Sequence, residues 1–175
     1  MALLVGGLIG FSAGYFAGGG GRPGRAAAAP EGRGGGPADG RLAELTRAVD
    51  RDPENPELLT ALGNYRYDRE EWEGAIEAYE KARRKAPKDP ALLSDLGAAH
   101  RNAGEFDLAV AYFGKAREAD PQHWQALLNW TLLEAFDRRN PAEAQKLFDE
   151  LKQRHPEIPQ LDRIQEQISS LRAGA

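Results

Sequence analysis

The sequence has 175 residues, 41% of them hydrophobic and 29% charged, with a formal net charge of −4. Its charges are of mixed sign and form no concentrated basic run, which argues against a nucleic-acid binder. With no cysteine, disulfide staples, thiolate metal sites, iron–sulfur clusters and a cysteine nucleophile are all excluded.

The chain divides near residue 40. Residues 1–40 hold 14 of the 20 glycines and carry three Arg against Glu31 and Asp39, whereas residues 41–175 carry 20 Lys and Arg against 25 Asp and Glu. Ala2 to Gly21 run for 20 positions without a charged side chain. A helix of that length spans roughly 30 Å, the thickness of the hydrocarbon core. Residues 1–21 are therefore read as one transmembrane anchor helix in a lipid bilayer. The competing reading is a cleaved secretory signal, which normally opens on a basic stretch; here no basic side chain precedes the apolar run. Ala26-Ala27-Ala28 could serve as a small-residue cleavage site, but it lies well past a run already long enough to span.

Within that run Gly6, Gly10, Gly14 and Gly18 recur every four residues and form a slowly drifting stripe along one side of a helix. Small residues at this spacing let two helix backbones approach closely in a membrane. The stripe is read as a helix-packing surface. Residues 22–40 are read as a flexible linker. Gly, Ala and Pro fill 15 of the 20 positions from Gly21 to Gly40, leaving no large apolar side chain to bury. As a glycine-rich coil, its ends would lie about 25 Å apart.

From residue 53 the chain repeats itself. Pro53, Pro87 and Pro121 lie 34 residues apart, as do Pro56 and Pro90. The same interval relates Leu62, Leu96 and Trp130, Gly63 and Gly97, Trp72 and Phe106, Ala75 and Ala109, Tyr79 and Phe113, and Ala82 and Ala116. After Trp130 the interval becomes 35, as in Phe113 to Phe148 and Pro121 to Pro156. One residue has entered between Trp130 and Ala144, and the turn around Asp137–Asn140 is the expected place.

A 34-residue period of this kind marks a helix–turn–helix repeat. The pieces LLTALGNYRYDREEWEGAIEAYEKARRKAP, LLSDLGAAHRNAGEFDLAVAYFGKAREADP and a looser LLNWTLLEAFDRRNPAEAQKLFDELKQRHP resemble the tetratricopeptide repeat family. The resemblance implies an all-α fold: a short right-handed α-solenoid of about three helix pairs over residues 53–158, with flanking cap helices. Local signals agree. Asn55-Pro56 and Asp89-Pro90 cap the first helices of two repeats, and Asn140-Pro141 opens the last paired helix with Glu143 placed for a capping box. The glycines at 63 and 97 and the alanines around Tyr79 and Phe113 allow paired helices to close up. Residues 41–52 read as an N-terminal half repeat, with Leu45 and Ala48 at the aromatic and small positions. Residues 159–175 place Leu161, Ile164, Ile168 and Leu171 on one face of a solvating helix, with a short tail. An amphipathic partner-binding helix is the other reading of that segment.

The resemblance also implies a partner groove lined by the first helix of each pair. By register this gives Thr60, Asn64, Tyr67 and Asp68, then Ser94, Ala98, Arg101 and Asn102, then Gln125, Leu128, Leu132, Ala135 and Phe136. One branch of the family grips carboxylate tails of heat-shock chaperones with Lys, Arg and Asn. Of that cluster only Asn64 survives, while Asp95 and Gln125 stand where Asn and a basic residue are expected, so this function is rejected. The groove is expected to be polar at one end and apolar at the other, with Leu128, Leu132 and Phe136 either open or covered by the closing helix.

Catalysis finds no support. His100 stands at a packing position, His123 and His155 lie 32 residues apart with no ligand spacing, and the pair Glu70-Glu71 falls in a turn. No phosphate loop is present. The expectation is a non-enzymatic adaptor without cofactor or metal, single-pass in the plasma (inner) membrane, binding a protein segment and no small-molecule substrate. The alternative is an accessory subunit, packed into a larger membrane complex through its glycine stripe. The architecture resembles anchored tetratricopeptide proteins of bacterial cytochrome c maturation. Arg22, Arg25 and Arg33 after the anchor favour a cytoplasmic repeat domain, whereas an anchor at the start of a chain often exports the domain behind it; both sides remain open.

Overall fold

The computed structural model describes residues 37–159 and 161–173. Among these the chain forms eight α-helices and no strand: α1 Pro37–Arg51, α2 Pro56–Tyr67, α3 Trp72–Arg83, α4 Pro90–Asn102, α5 Phe106–Ala119, α6 Trp124–Leu132, α7 Pro141–Arg154 and α8 Leu161–Ala173. A short π-helical segment, Leu133–Asp137, continues α6. None of the described helices is long and apolar enough to cross a membrane. The expected anchor, its glycines Gly6, Gly10, Gly14 and Gly18, and most of the linker lie outside the described residues. The first helix starts at Pro37, inside the stretch read as linker, since proline's fixed φ suits a first helical position.

The caps follow from side-chain chemistry. Asn55 Oδ1 accepts from the backbone N–H groups of Glu57 and Leu58, both at 3.1 Å. Asp89 Oδ1 does the same for Ala91 and Leu92, at 2.9 and 3.2 Å. Asn140 forms half of the expected capping box: its Oδ1 accepts from Glu143 N–H at 3.3 Å. The reciprocal half is missing because the Asn140 N–H donates to the Glu134 carbonyl, and the Glu143 carboxylate pairs with Lys146.

Each helix pair turns through one left-handed residue, Glu70, Gly104 or Arg139. In the first two turns the N–H of the following residue reaches back to a helical carbonyl, Glu71 to Arg66 and Glu105 to His100, in a Schellman arrangement. The left-handed residues lie 34 and then 35 positions apart, so the extra residue enters before Arg139. It is taken up in the π segment, where Arg138 N–H bonds the Leu133 carbonyl, and not in the turn itself. A helix absorbs an insertion this way by widening one turn and keeping its bonds.

The pairs close over aromatic rings. Tyr79, Phe113 and Phe148 are almost wholly buried, and Ala75, Ala82, Ala109, Ala116 and Ala144 have no exposure at all. A Cβ at Gly63 would stand 2.3 Å from the Tyr79 ring, and one at Gly97 would stand 2.4 Å from the Phe113 ring. Glycine at those two places sets the helix separation. Stacking then joins the pairs: one apolar cluster spans the first two repeats, a second joins α6 and α7 to α8, and Trp130 packs against both. Leu45 of α1 closes the other end against Leu62 and Ala78. Helices of this length are marginal alone, so stacking carries their stability.

Candidate functional site

The first helices of the pairs, α2 and α4, place a polar row along the stack. Thr60, Asn64 and Tyr67 are half-buried and Asp68, the C-cap of α2, is exposed; on α4 Ala98, Arg101 and Asn102 are half-buried. Ser94 is buried, 4% exposed, and so belongs to the packing between helices rather than to an open surface. Gln125, at the start of α6, is half-buried.

The structure ties several of these residues together. Asn102 Nδ2 donates to the Tyr67 hydroxyl at 2.7 Å, and the Tyr79 hydroxyl donates to Asn64 Oδ1 at 2.8 Å. Arg101 Nε donates to Asp137 Oδ2 at 2.5 Å, linking α4 to the π segment. The Tyr67 and Trp72 rings meet in a T-shaped arrangement, with centroids 5.1 Å apart. The Asn102–Tyr67 and Arg101–Asp137 bonds run from repeat to repeat, while the Tyr79–Asn64 bond and the Tyr67–Trp72 contact hold α2 against α3 within the first.

The apolar end is different. Leu128 and Ala135 are buried at 1% and 0%, and with the half-buried Leu132 and Phe136 they pack into one cluster with Leu161, Ile164, Ile168 and Leu171 of α8. α8 packs mainly on α7, and Leu128, Leu132 and Phe136 belong to the same apolar cluster. The apolar side of α8, with Leu161 and Ile168 buried, lies against α7.

Asp95, left outside the expected groove set, is a half-buried acid on α4 between the buried Ser94 and Leu96. Burial pushes its carboxyl up to about 7, with the Asp89 carboxylate adding to the shift. Burial also raises Asp68. The Tyr67 phenol is raised by burial, against the Asn102 hydrogen bond and Arg101, with Asp95 and Asp68 adding. Tyr79 lies far above the usual phenol range for the same first reason, with Asp95 next. The signal was in the register: Asp95 follows Ala61 by 34 residues and precedes Asn129 by 34, so one repeat alone has an acid there.

The histidines are structural in setting. His100, 6% exposed, stacks on Tyr112 with its Nδ1 2.6 Å from Glu105 Oε2. His155 Nδ1 lies 3.4 Å from Glu157, and His123, at the α6 N-terminus, has its pKa lowered by burial. Among the described residues no group of three or more His, Asp or Glu side chains could hold a metal ion.

No curated protein matches the chain. Among solved structures it is similar to MamA, with 20% identity, a TM-score of 0.70 and 78% of each chain covered. It is also similar to the TPR2B domain of yeast Sti1, in a structure described as a pHsp70 complex, with 21% identity, a TM-score of 0.63, and 69% of this chain and 98% of that one covered. The first TPR of Spaghetti (RPAP3), bound to the HSP90 peptide SRMEEVD, gives 19% identity, a TM-score of 0.62, and 67% and 95% coverage. These likenesses establish the fold. Two family models, both described as tetratricopeptide repeat, match residues 38–90 and 66–130. Over residues 38–130 this chain carries tetratricopeptide repeats.

Proposed function

We propose that this chain is a membrane-anchored adaptor whose repeat domain binds a segment of a partner protein along α2, α4 and the start of α6. The observation that carries the reading is the polar row itself. Thr60, Ala98 and Gln125 are only half-buried and lie on the first helices, which carry Asn64 and Tyr67, held by bonds from Tyr79 and Asn102. A pre-formed row of this kind binds with little ordering cost. The solved relatives whose descriptions include an Hsp70 complex or an HSP90 peptide support peptide binding as a use of this fold. The reading involves no catalysis, cofactor or nucleic acid. The uncharged run of residues 1–21 and the glycine-rich stretch after it support a single-pass anchor and a stalk in the plasma membrane.

The test is recovery of the full chain from native membranes in mild detergent, with its partners identified. Thr60→Glu with Ala98→Glu, both half-buried and away from the core rings, should remove the partner while thermal unfolding stays within a few degrees of the parent. Unchanged partner recovery would rule out the groove. A second reading, an accessory subunit held through its membrane helix, is favoured by Gly6, Gly10, Gly14 and Gly18 recurring every four residues. A single stoichiometric membrane complex that survives the groove substitutions would support it.

A further inference from the structure

We propose that the open concavity beside the α4–α5 turn is a docking site, which takes an aliphatic side chain flanked by a lysine or arginine from a segment of a partner protein. None of the residues lining it belongs to the groove row above, so the site goes beyond that reading.

The concavity holds about 340 Å³ and is lined by Gly104 to Leu108, leading into α5, and by Arg138 just past the π segment. Its volume is at the small end for ligand sites, and its open side suits side chains of a passing segment better than an enclosed small molecule. Two departures from the repeat shape it. Gly104 takes the left-handed place held by Glu70 and Arg139 in the other turns, and nothing lies within 4 Å of a Cβ built there. Leu108 stands where the register gives Gly74 and Glu143, and among the described residues it is the only exposed large hydrophobic side chain, at 48%. A lone exposed leucine needs no explanation. One that stands on the rim of a concavity, beside a turn kept bare by glycine, offers an anchor surface. Charge selects the occupant. Arg138 lies 3.2 Å from Asp107 and 3.5 Å from Glu134, so its one positive charge is divided between two carboxylates. Glu105, with Oε2 2.6 Å from His100 Nδ1, adds a third. Asp107 and Glu105 are both exposed, so both acids meet whatever approaches. An acidic segment would be repelled here. A basic residue beside an aliphatic one would find carboxylates at the rim and Leu108 alongside.

The test uses the full chain in mild detergent and a displayed library of random linear peptides. Peptides that pair an aliphatic residue with an adjacent Lys or Arg should be enriched. Leu108→Ser should weaken their binding at least roughly tenfold while the melting temperature is unchanged. Gly104→Asn, which keeps the left-handed turn but fills the concavity, should do the same. Gly114→Ala, on the same helix but outside the concavity, should leave binding intact. Changing the basic residue of the peptide to Gln should cost roughly tenfold, and added salt should weaken the parent complex. Enriched peptides that lack a basic residue, full binding by Leu108→Ser, or no enrichment at all would overturn the inference. If every enriched peptide is lost with Thr60→Glu and Ala98→Glu but held by Leu108→Ser, the groove reading stands and this one falls. The reverse pattern leaves this site in place and removes the groove.

Discussion

Two glycines in nearly identical helical settings have opposite requirements. Gly97 faces the Phe113 ring, where a Cβ would stand at 2.4 Å, and Phe113 has no exposure and nowhere to move. Gly97→Ala should therefore destabilise the domain by about 1–3 kcal/mol. Gly114, inside α5, has nothing within 4 Å of an added Cβ. Gly114→Ala should stabilise by about 0.5–1 kcal/mol through helix propensity alone. Urea unfolding of the two variants checks the contrast; equal effects would mean that the ring contact does not set the helix spacing. The Gly97 contact was readable from sequence because glycine and aromatic recur together at a fixed interval. The register marks Asp95 as the one acid at its repeat position, but not its burial, since an acid on a first helix looks like any solvated charge until the depth of its site is known. Its pKa is raised from 3.8 to about 7, so the stability it permits is full below pH 4 and lost as pH rises through 7. Asp95→Asn should match the parent near pH 4 and exceed it by ~1–3 kcal/mol at pH 8. A uniform gain at every pH would sink this assignment.

Helices and their ends were legible where one residue type has one use. Asn and Asp before Pro announce a helix start because their side chains satisfy free N–H groups and proline lacks one. The third repeat was less legible. An insertion can lengthen a loop or widen a helical turn, and the sequence around Leu133–Asp137 contains nothing that separates the two outcomes; only the Arg138-to-Leu133 bond does. The fate of the apolar end likewise depended on where α8 docks. Ile168, with no exposure, is the residue of α8 most deeply set in the cluster with Leu128 and Phe148. Ile168→Asp would bury an unpaired carboxylate, so α8 should detach, with a loss of about 3–5 kcal/mol. Binding of a hydrophobic dye should rise as the apolar cluster around Phe148 is opened, while most helical signal remains, because the first two repeats have a cluster of their own. Complete loss of helix on this one change would mean that the stack unfolds as a single unit.

Binding by the stack and association through the preceding segment are separate proposals, and the two can be tested apart on the whole chain. From Leu45 to Ile168 the apolar faces are covered at both ends, by α1 and by α8, so residues 37–175 should form a soluble, monomeric helical domain. Residues 41–175 carry 20 basic and 25 acidic side chains, which favours solubility. The glycine stripe is the one regular spacing in residues 1–21, and leucine there would remove close approach without weakening insertion. In Gly10→Leu with Gly14→Leu the run becomes more apolar by roughly 0.6–1.2 kcal/mol. The variant should therefore stay in the membrane fraction as well as the parent does. If two helix backbones approach through the stripe, the added side chains would hold them apart, so a contact of that kind should be lost. Leu4→Ala, off the stripe, is the control and should change association less. Cross-linking in membranes, read beside the soluble fragment, separates the two modes of attachment. If the double leucine variant loses its partner while peptide binding by the repeats persists, the chain is held in its complex by the membrane helix. If the double leucine variant assembles like the parent, the segment is a plain tether and recognition resides in α2 and α4.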